Sequence, residues 1–148
     1  NVFGALNCVQ AVVPHMKQQG HGQIINVSSV AGKIAAPYEG AYAATKFALT
    51  ALSDALRLEL ADFGITIITV YPGRTETPFP ANVLKEMELP RAPGVASRVP
   101  AVRVARAIVN AARWDRVEVY VTPFDRLAVQ GRVRLLVKGA ALIGGAGA

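Results

Sequence analysis

The chain has 148 residues, of which 52% are hydrophobic and 18% charged, with a formal charge of +6. That length and apolar content suit one domain with a sizeable core and exclude wholesale disorder, and no run reaches the roughly 18 uncharged apolar residues of a spanning helix. The charge is uneven: residues 1–90 carry six Lys/Arg against seven Asp/Glu, residues 91–148 ten against three, and without aromatic interleaving or a nucleic-acid motif the basic part is not read as a nucleic-acid surface.

In chain order, Asn1 to Gln19 reads as a helix, because Val2, Leu6, Val9, Val13 and Met16 recur at helical spacing before Gly20 and Gly22 stop it. Within it, Cys8 is the single cysteine, expected as a small buried hydrophobe, and its being alone fits a reducing, cytoplasmic setting. His15 and His21 have no acidic or cysteine neighbours and are expected at the surface, with no metal site. Gln23 to Val27 is a short β-branched strand ending at Ser28-Ser29, and Val30 to Gly40 a loop. A long helix is expected from about Ala41 to Phe63, stopped by Gly64, with Leu49, Leu52, Leu56 and Leu60 as its core row. Ala48, Ala51, Ala55 and Leu58 broaden that row, so the helix is expected to cover the sheet and a second subunit, with Lys46, Thr50, Ser53, Asp54 and Arg57 on the polar side.

Ile65 to Tyr71 is a second strand, cut by Pro72-Gly73. Residues 74–100, with Pro78, Pro80, Pro90, Pro93 and Pro100, are expected to form an irregular lid whose Phe79, Val83, Leu84, Met87 and Leu89, with Tyr38, favour an apolar alcohol or carbonyl compound. Ala101 to Ala112 is helical, Val117 to Val121 a third strand, and Asp125 is expected to cap a basic amphipathic helix over 126–138 ahead of a Gly/Ala terminus. The helix could touch an anionic membrane surface or pack on its own domain or a partner. Strands alternating with helices argue for an α/β fold with a doubly wound parallel sheet, divided as 1–124 and a tail, 125–148.

The chemistry centres on Tyr42 and Lys46, four residues apart and so on one helix face. A phenol ordinarily keeps its proton to a pKa of about 10, and a neighbouring ammonium favours the phenolate and suits it to acid–base work. Ser28-Ser29 and Pro72-Gly73 close two strands at the sheet edge where such folds bind ligands, with Thr75 and Thr77 just beyond.

The runs Ile24-Ile25-Asn26-Val27-Ser28-Ser29, Tyr42-Ala43-Ala44-Thr45-Lys46 and Tyr71-Pro72-Gly73-Arg74-Thr75-Glu76-Thr77-Pro78, with the opening Asn1-Val2-Phe3-Gly4, resemble the short-chain dehydrogenase/reductase family in order and spacing. The resemblance implies a Rossmann-like fold and hydride transfer between NAD or NADP and a small-molecule alcohol or carbonyl substrate. It implies that Tyr42 moves the proton and that Lys46 tunes Tyr42 and binds the nicotinamide ribose. Ser29, thirteen residues before Tyr42, would polarise the substrate, and Asn1 would hold a water that relays protons to Lys46. Pro72, Gly73, Thr75 and Thr77 would shape the nicotinamide pocket, and a homodimer or homotetramer would form. The family's Gly-rich phosphate turn and Asn-Asn-Ala-Gly strand do not occur, so only the C-terminal half of the fold is expected, inactive alone. The alternative is a catalytically silent fragment acting as an oligomerisation or membrane-surface module.

Overall fold

The structure, a computed structural model, describes residues 1–35, 39–78 and 98–131. In chain order the elements are α1 (Phe3–Gln19), β1 (Gly22–Val27), α2 (Gly40–Glu59), β2 (Ile65–Tyr71), β3 (Thr75–Glu76), β4 (Val99–Pro100), α3 (Ala101–Arg113), β5 (Glu118–Tyr120) and α4 (Pro123–Val129). Short 3₁₀ turns occupy Val30–Gly32 and Ala61–Phe63. The main sheet has the order β1-β2-β5 and is parallel throughout, as the alternation of elements requires.

β2 is the spine, and its period of two divides the core. Ile65 and Ile67 face one side with Leu60, where Val13, Met16, Ile24 and Leu56 pack. Ile68 and Val70 face the other, with Ala111 and Val119 and with Ile25, Ala107 and Ile108 around them. Helices therefore cover both faces, which is why β2 reads as an almost unbroken apolar run. Ile67, Ile68 and Val70 are wholly buried, and burying each such side chain contributes about 1.5–3 kcal/mol.

α2 turns its expected leucine row toward the sheet: Leu49 and Leu60 are buried, Leu56 packs on the cluster of Leu60, Ile65 and Ile67, and Leu52 is half-buried. The departure is that Thr50 and Ser53, expected on the polar side, are buried as well. The buried residues of the helix are Ala43, Leu49, Thr50 and Ser53, while Ala48, Ala51, Ala55, Phe47 and Leu58 are exposed. The hydroxyls tolerate burial because each is satisfied: Thr50 Oγ1 donates to the Lys46 carbonyl at 3.0 Å and Ser53 Oγ to the Leu49 carbonyl at 2.7 Å. Ser53 Oγ also accepts from Asn26 Nδ2 at 2.9 Å, which joins α2 to β1. The helix ends at Glu59 rather than Phe63; a 3₁₀ turn carries the chain on to Gly64, which takes the left-handed conformation at φ 68°.

α1 begins two residues later than expected and buries Val9. Cys8, one position earlier on the helix, is exposed and not the buried hydrophobe anticipated; His15 and His21 are exposed as expected. The stretch 74–100 is not irregular throughout, because its ends pair as the parallel stubs β3 and β4, Thr75 opposite Val99 and Glu76 opposite Pro100. The apolar positions expected to line a lid, with Tyr38, lie outside the described residues.

The last helix also departs from expectation. Thr122, not Asp125, is the N-cap; its hydroxyl accepts the Asp125 amide at 3.1 Å, while the Asp125 carboxylate accepts the Thr122 amide at 3.0 Å. α4 stops at Val129, and Gly131 is left-handed at φ 87°; the rest of the stretch expected to be helical, residues 132–138, lies outside the described residues with the terminus. No helix among the described residues is long and apolar enough to cross a membrane.

Candidate active site

β1 and β2 end side by side, and the segments after them interlock. Val30 N–H and Ser29 Oγ both donate to the Pro72 carbonyl, at 3.0 and 3.4 Å. Ser29 is also the N-cap of the 3₁₀ turn, its hydroxyl accepting the Ala31 amide at 3.1 Å. Ser28 points the other way: it is buried, and its Oγ donates to the Lys46 carbonyl at 3.2 Å and lies 3.2 Å from Thr50 Oγ1. Gly32 is buried in the same seam, where a Cβ would collide with Ser28 Oγ, the Lys46 carbonyl and Thr50 Oγ1. The absent side chain lets the turn lie directly on α2.

Tyr42 and Lys46 occupy the first turns of α2, both half-buried. Lys46 Nζ stands 5.9 Å from the centroid of the Tyr42 ring and donates to the carbonyl of Val27, the last residue of β1, at 3.0 Å. That carbonyl is its acceptor among the described residues, and an ammonium has three hydrogens to donate. Burial lowers the Lys46 pKa from its ordinary value, since the charged form is desolvated. Asn1 is exposed, and its Nδ2 donates to Thr45 Oγ1 at 3.2 Å, which in turn donates to the Tyr42 carbonyl at 2.8 Å. Asn1 is thus set against the helix between Tyr42 and Lys46.

Pro72 and Gly73 lie at the C-terminal end of β2, half-buried, and Thr75 Oγ1 donates back to the Gly73 carbonyl at 3.2 Å. Thr77 is exposed two residues further on. On its other side Gly73 is packed against the buried Asp125, so closely that a Cβ there would fall on the carboxylate. A cleft of about 230 Å³ lined by Arg74, Val99, Arg103, Thr122, Pro123, Phe124 and Asp125 opens beside this contact, away from Tyr42 and Lys46. Among the described residues no three His, Cys, Asp or Glu side chains are grouped to hold a metal ion.

The sequence profile of the short chain dehydrogenases matches residues 1–88, which takes in Asn1, Ser29, Tyr42, Lys46 and the Pro72–Thr77 segment. The chain belongs to the short-chain dehydrogenase family. A 3-ketodihydrosphingosine reductase of Bacteroides thetaiotaomicron is 44% identical over 82 residues, covering 55% of this chain and 30% of that protein. The uncharacterized oxidoreductase YbbO of Escherichia coli K12 is 44% identical over 100 residues, 66% of this chain and 37% of its own length. A short chain dehydrogenase of Burkholderia cenocepacia J2315, solved in complex with NADP, superposes with a TM-score of 0.72 at 29% identity, over 87% of this chain and 49% of that one. The chain spans about a third of the length of these curated relatives and about half of the solved enzyme. It is a partial short-chain dehydrogenase with the family's Rossmann-like α/β fold.

The contacts that shape this candidate site largely escape a reading of the sequence. Ser28, Gly32 and Thr50 form the seam beneath Ser29. Lys33, Tyr71 and Glu118 form a second cluster, in which Lys33 Nζ meets Glu118 Oε1 at 2.7 Å. No local pattern marks the Lys33 pair, whose members are 85 positions apart. Thr122 and Asp125, by contrast, have the spacing of a capping box and were open to recognition.

Proposed function

We propose that the protein carrying this chain is an oxidoreductase that moves a hydride between NAD or NADP and an alcohol or carbonyl substrate, with Tyr42 as acid and base. The observation that carries the reading is the Tyr42–Lys46 pair, one turn apart, with the Lys46 ammonium at the C-terminal edge of β1 and 5.9 Å from the Tyr42 ring.

The residues present fit the nicotinamide end of such a cofactor: Lys46 retains donors for a ribose hydroxyl, and Pro72, Gly73, Thr75 and Thr77 frame the adjoining edge. When bound, the cofactor supplies or accepts the hydride. In the reductive direction Tyr42 donates its phenolic proton to the substrate oxygen as the carbonyl carbon is reduced, and the ammonium of Lys46 stabilises the negative charge left on the tyrosine oxygen. In the oxidative direction the same oxygen takes the proton back. Ser29 orients the substrate oxygen; its bond to the Pro72 carbonyl is long at 3.4 Å, so turning the hydroxyl to a ligand sacrifices little. Asn1, held on Thr45, positions a water beside Lys46.

The substrate class we assign is apolar. Phe79, Val83, Leu84, Met87 and Leu89 support it, as does the relative named for reducing 3-ketodihydrosphingosine. The exposed stripe of α2, Phe47, Ala51, Ala55 and Leu58, we read as the face that joins subunits into a homodimer or homotetramer.

The test uses the full reading frame that encodes this chain, assayed for NADH and NADPH oxidation with acetophenone and with glucuronate. Turnover of acetophenone is expected, and Tyr42→Phe is expected to lower it by about 10²–10⁴-fold. Parent-like turnover in Tyr42→Phe refutes the proposed chemistry, and faster reduction of glucuronate refutes the apolar assignment.

A further inference from the structure

The 3₁₀ turn that begins at Ser29 ends at Lys33. The turn is stiff: Gly32 N–H donates to the Ser29 carbonyl at 2.8 Å and Lys33 N–H to the Val30 carbonyl at 3.0 Å. Its Ser29 end is fixed by the two donations to the Pro72 carbonyl. Its underside rests on α2 through Gly32. The Lys33 end is fixed by something else. Lys33 Nζ crosses the ring of Tyr71, 4.9 Å from its centroid, and pairs with Glu118 Oε1 at 2.7 Å on β5. Tyr71 is fully buried, stacks on Tyr120 at 5.2 Å between centroids, and sends its hydroxyl to the same carboxylate oxygen at 3.4 Å.

We infer that Lys33 is a positioning residue for Ser29: by clamping the far end of the 3₁₀ turn to Glu118 across Tyr71, it holds the serine hydroxyl at the sheet edge. The inference rests on the reading of Ser29 as the group that orients the substrate oxygen. A five-residue turn hydrogen-bonded at both ends behaves as a short lever, so release at Lys33 lets Ser29 rotate about the Pro72 anchor. The side chains of the pair are 23% and 39% exposed, so the ion pair adds little to global stability, and its effect is local geometry. A small misplacement of an orienting group lowers turnover much more than it lowers stability.

Two measurements on the full reading frame test this. The first is amide hydrogen exchange over residues 28–35 and 71–73 in the parent, Lys33→Met, Lys33→Arg and Glu118→Gln. Faster exchange in Lys33→Met and Glu118→Gln, with parent-like exchange in Lys33→Arg, is expected. Unchanged exchange in Lys33→Met or Glu118→Gln overturns the clamp, whatever the enzyme turns over. The second is a double-mutant cycle on kcat with acetophenone and the preferred nicotinamide cofactor. Lys33→Met is expected to lower kcat about tenfold with KM nearly constant, Lys33→Arg to restore most of it, and Lys33→Met to have no further effect in Ser29→Ala. A tenfold loss that persists in Ser29→Ala shows that Lys33 does not act through Ser29 and overturns the inference. Failure of the underlying reading has a separate signature, namely Tyr42→Phe or Ser29→Ala turning over like the parent.

Discussion

Lys46 keeps a charge where burial disfavours it. Its folded-state pKa lies below the ordinary 10.5, so between that lowered value and 10.5 the unfolded chain holds a proton that the folded chain has released. Stability contributed by this group therefore rises with pH through that window, and at neutral pH the ammonium is a liability to the fold. Lys46→Met is expected to melt at the parent temperature or above it while losing turnover, a divergence that calorimetry and the reductase assay read together. Lys33 has the opposite sign. Burial opposes its charge, but the Glu118 hydrogen bond and the Tyr71 contact outweigh that and raise its pKa, so its contribution is complete below 10.5 and is lost only as pH climbs through the raised value. That Tyr42 and Lys46 share a helix face was legible in the sequence because a spacing of four needs no tertiary information, whereas the roles expected of them came from the family resemblance. Which of Ser28 and Ser29 faces the sheet edge needed more: Ser28 is drawn under α2 by Thr50, leaving Ser29 to cap the turn.

At the level of elements, α2 shows where periodicity misleads. Counting apolar residues finds its leucine row, of which Leu49 and Leu60 are buried, but assigns Thr50 and Ser53 to the polar side; both lie inside because their hydroxyls return to carbonyls one turn back. Ser53→Ala leaves Asn26 Nδ2 buried without its acceptor, and an unfolding cost of about 1–3 kcal/mol is expected from denaturant titration. Thr122→Ala removes one half of the capping box and is expected to cost about 1 kcal/mol in the same titration. β2 begins and ends where its β-branched run does, because a strand buried on both sides has no polar face to confuse the pattern. Over its described part the expected basic helix differs for a local reason: Thr122-Pro123 sets the start three residues earlier, and the left-handed Gly131 follows Val129, while residues 132–138 lie outside the described residues.

For the molecule as a whole, the parallel α/β architecture was legible from the alternation of elements, since parallel strands need helical crossovers. What surrounds that architecture was not, because exposure depends on partners that no local pattern encodes. Phe3 is 79% exposed, Leu58 81% and Trp114 66%, and β1 and β5 each have one hydrogen-bonded neighbour in the main sheet. Apolar faces and open edges of this kind favour association. The 148 residues expressed alone are expected to elute from size-exclusion chromatography as aggregate and not as a sharp monomer peak. In the full reading frame, Leu58→Glu is expected to shift the assembly toward monomer, read by light scattering.

The pairing of β3 with β4 has a consequence for how such a protein diversifies. The chain departs at Glu76 and re-enters at Val99 through neighbouring positions on one small ladder, so both ends of the stretch between them are held at one place. Loop closure grows only slowly with length, at about 0.6 kcal/mol per doubling. Insertions, deletions or exchange between residues 79 and 97 are therefore expected to leave the Tyr42–Lys46 framework in register. On the proposed function, such exchange alters which substrate is accepted and leaves the proton-transfer pair in place.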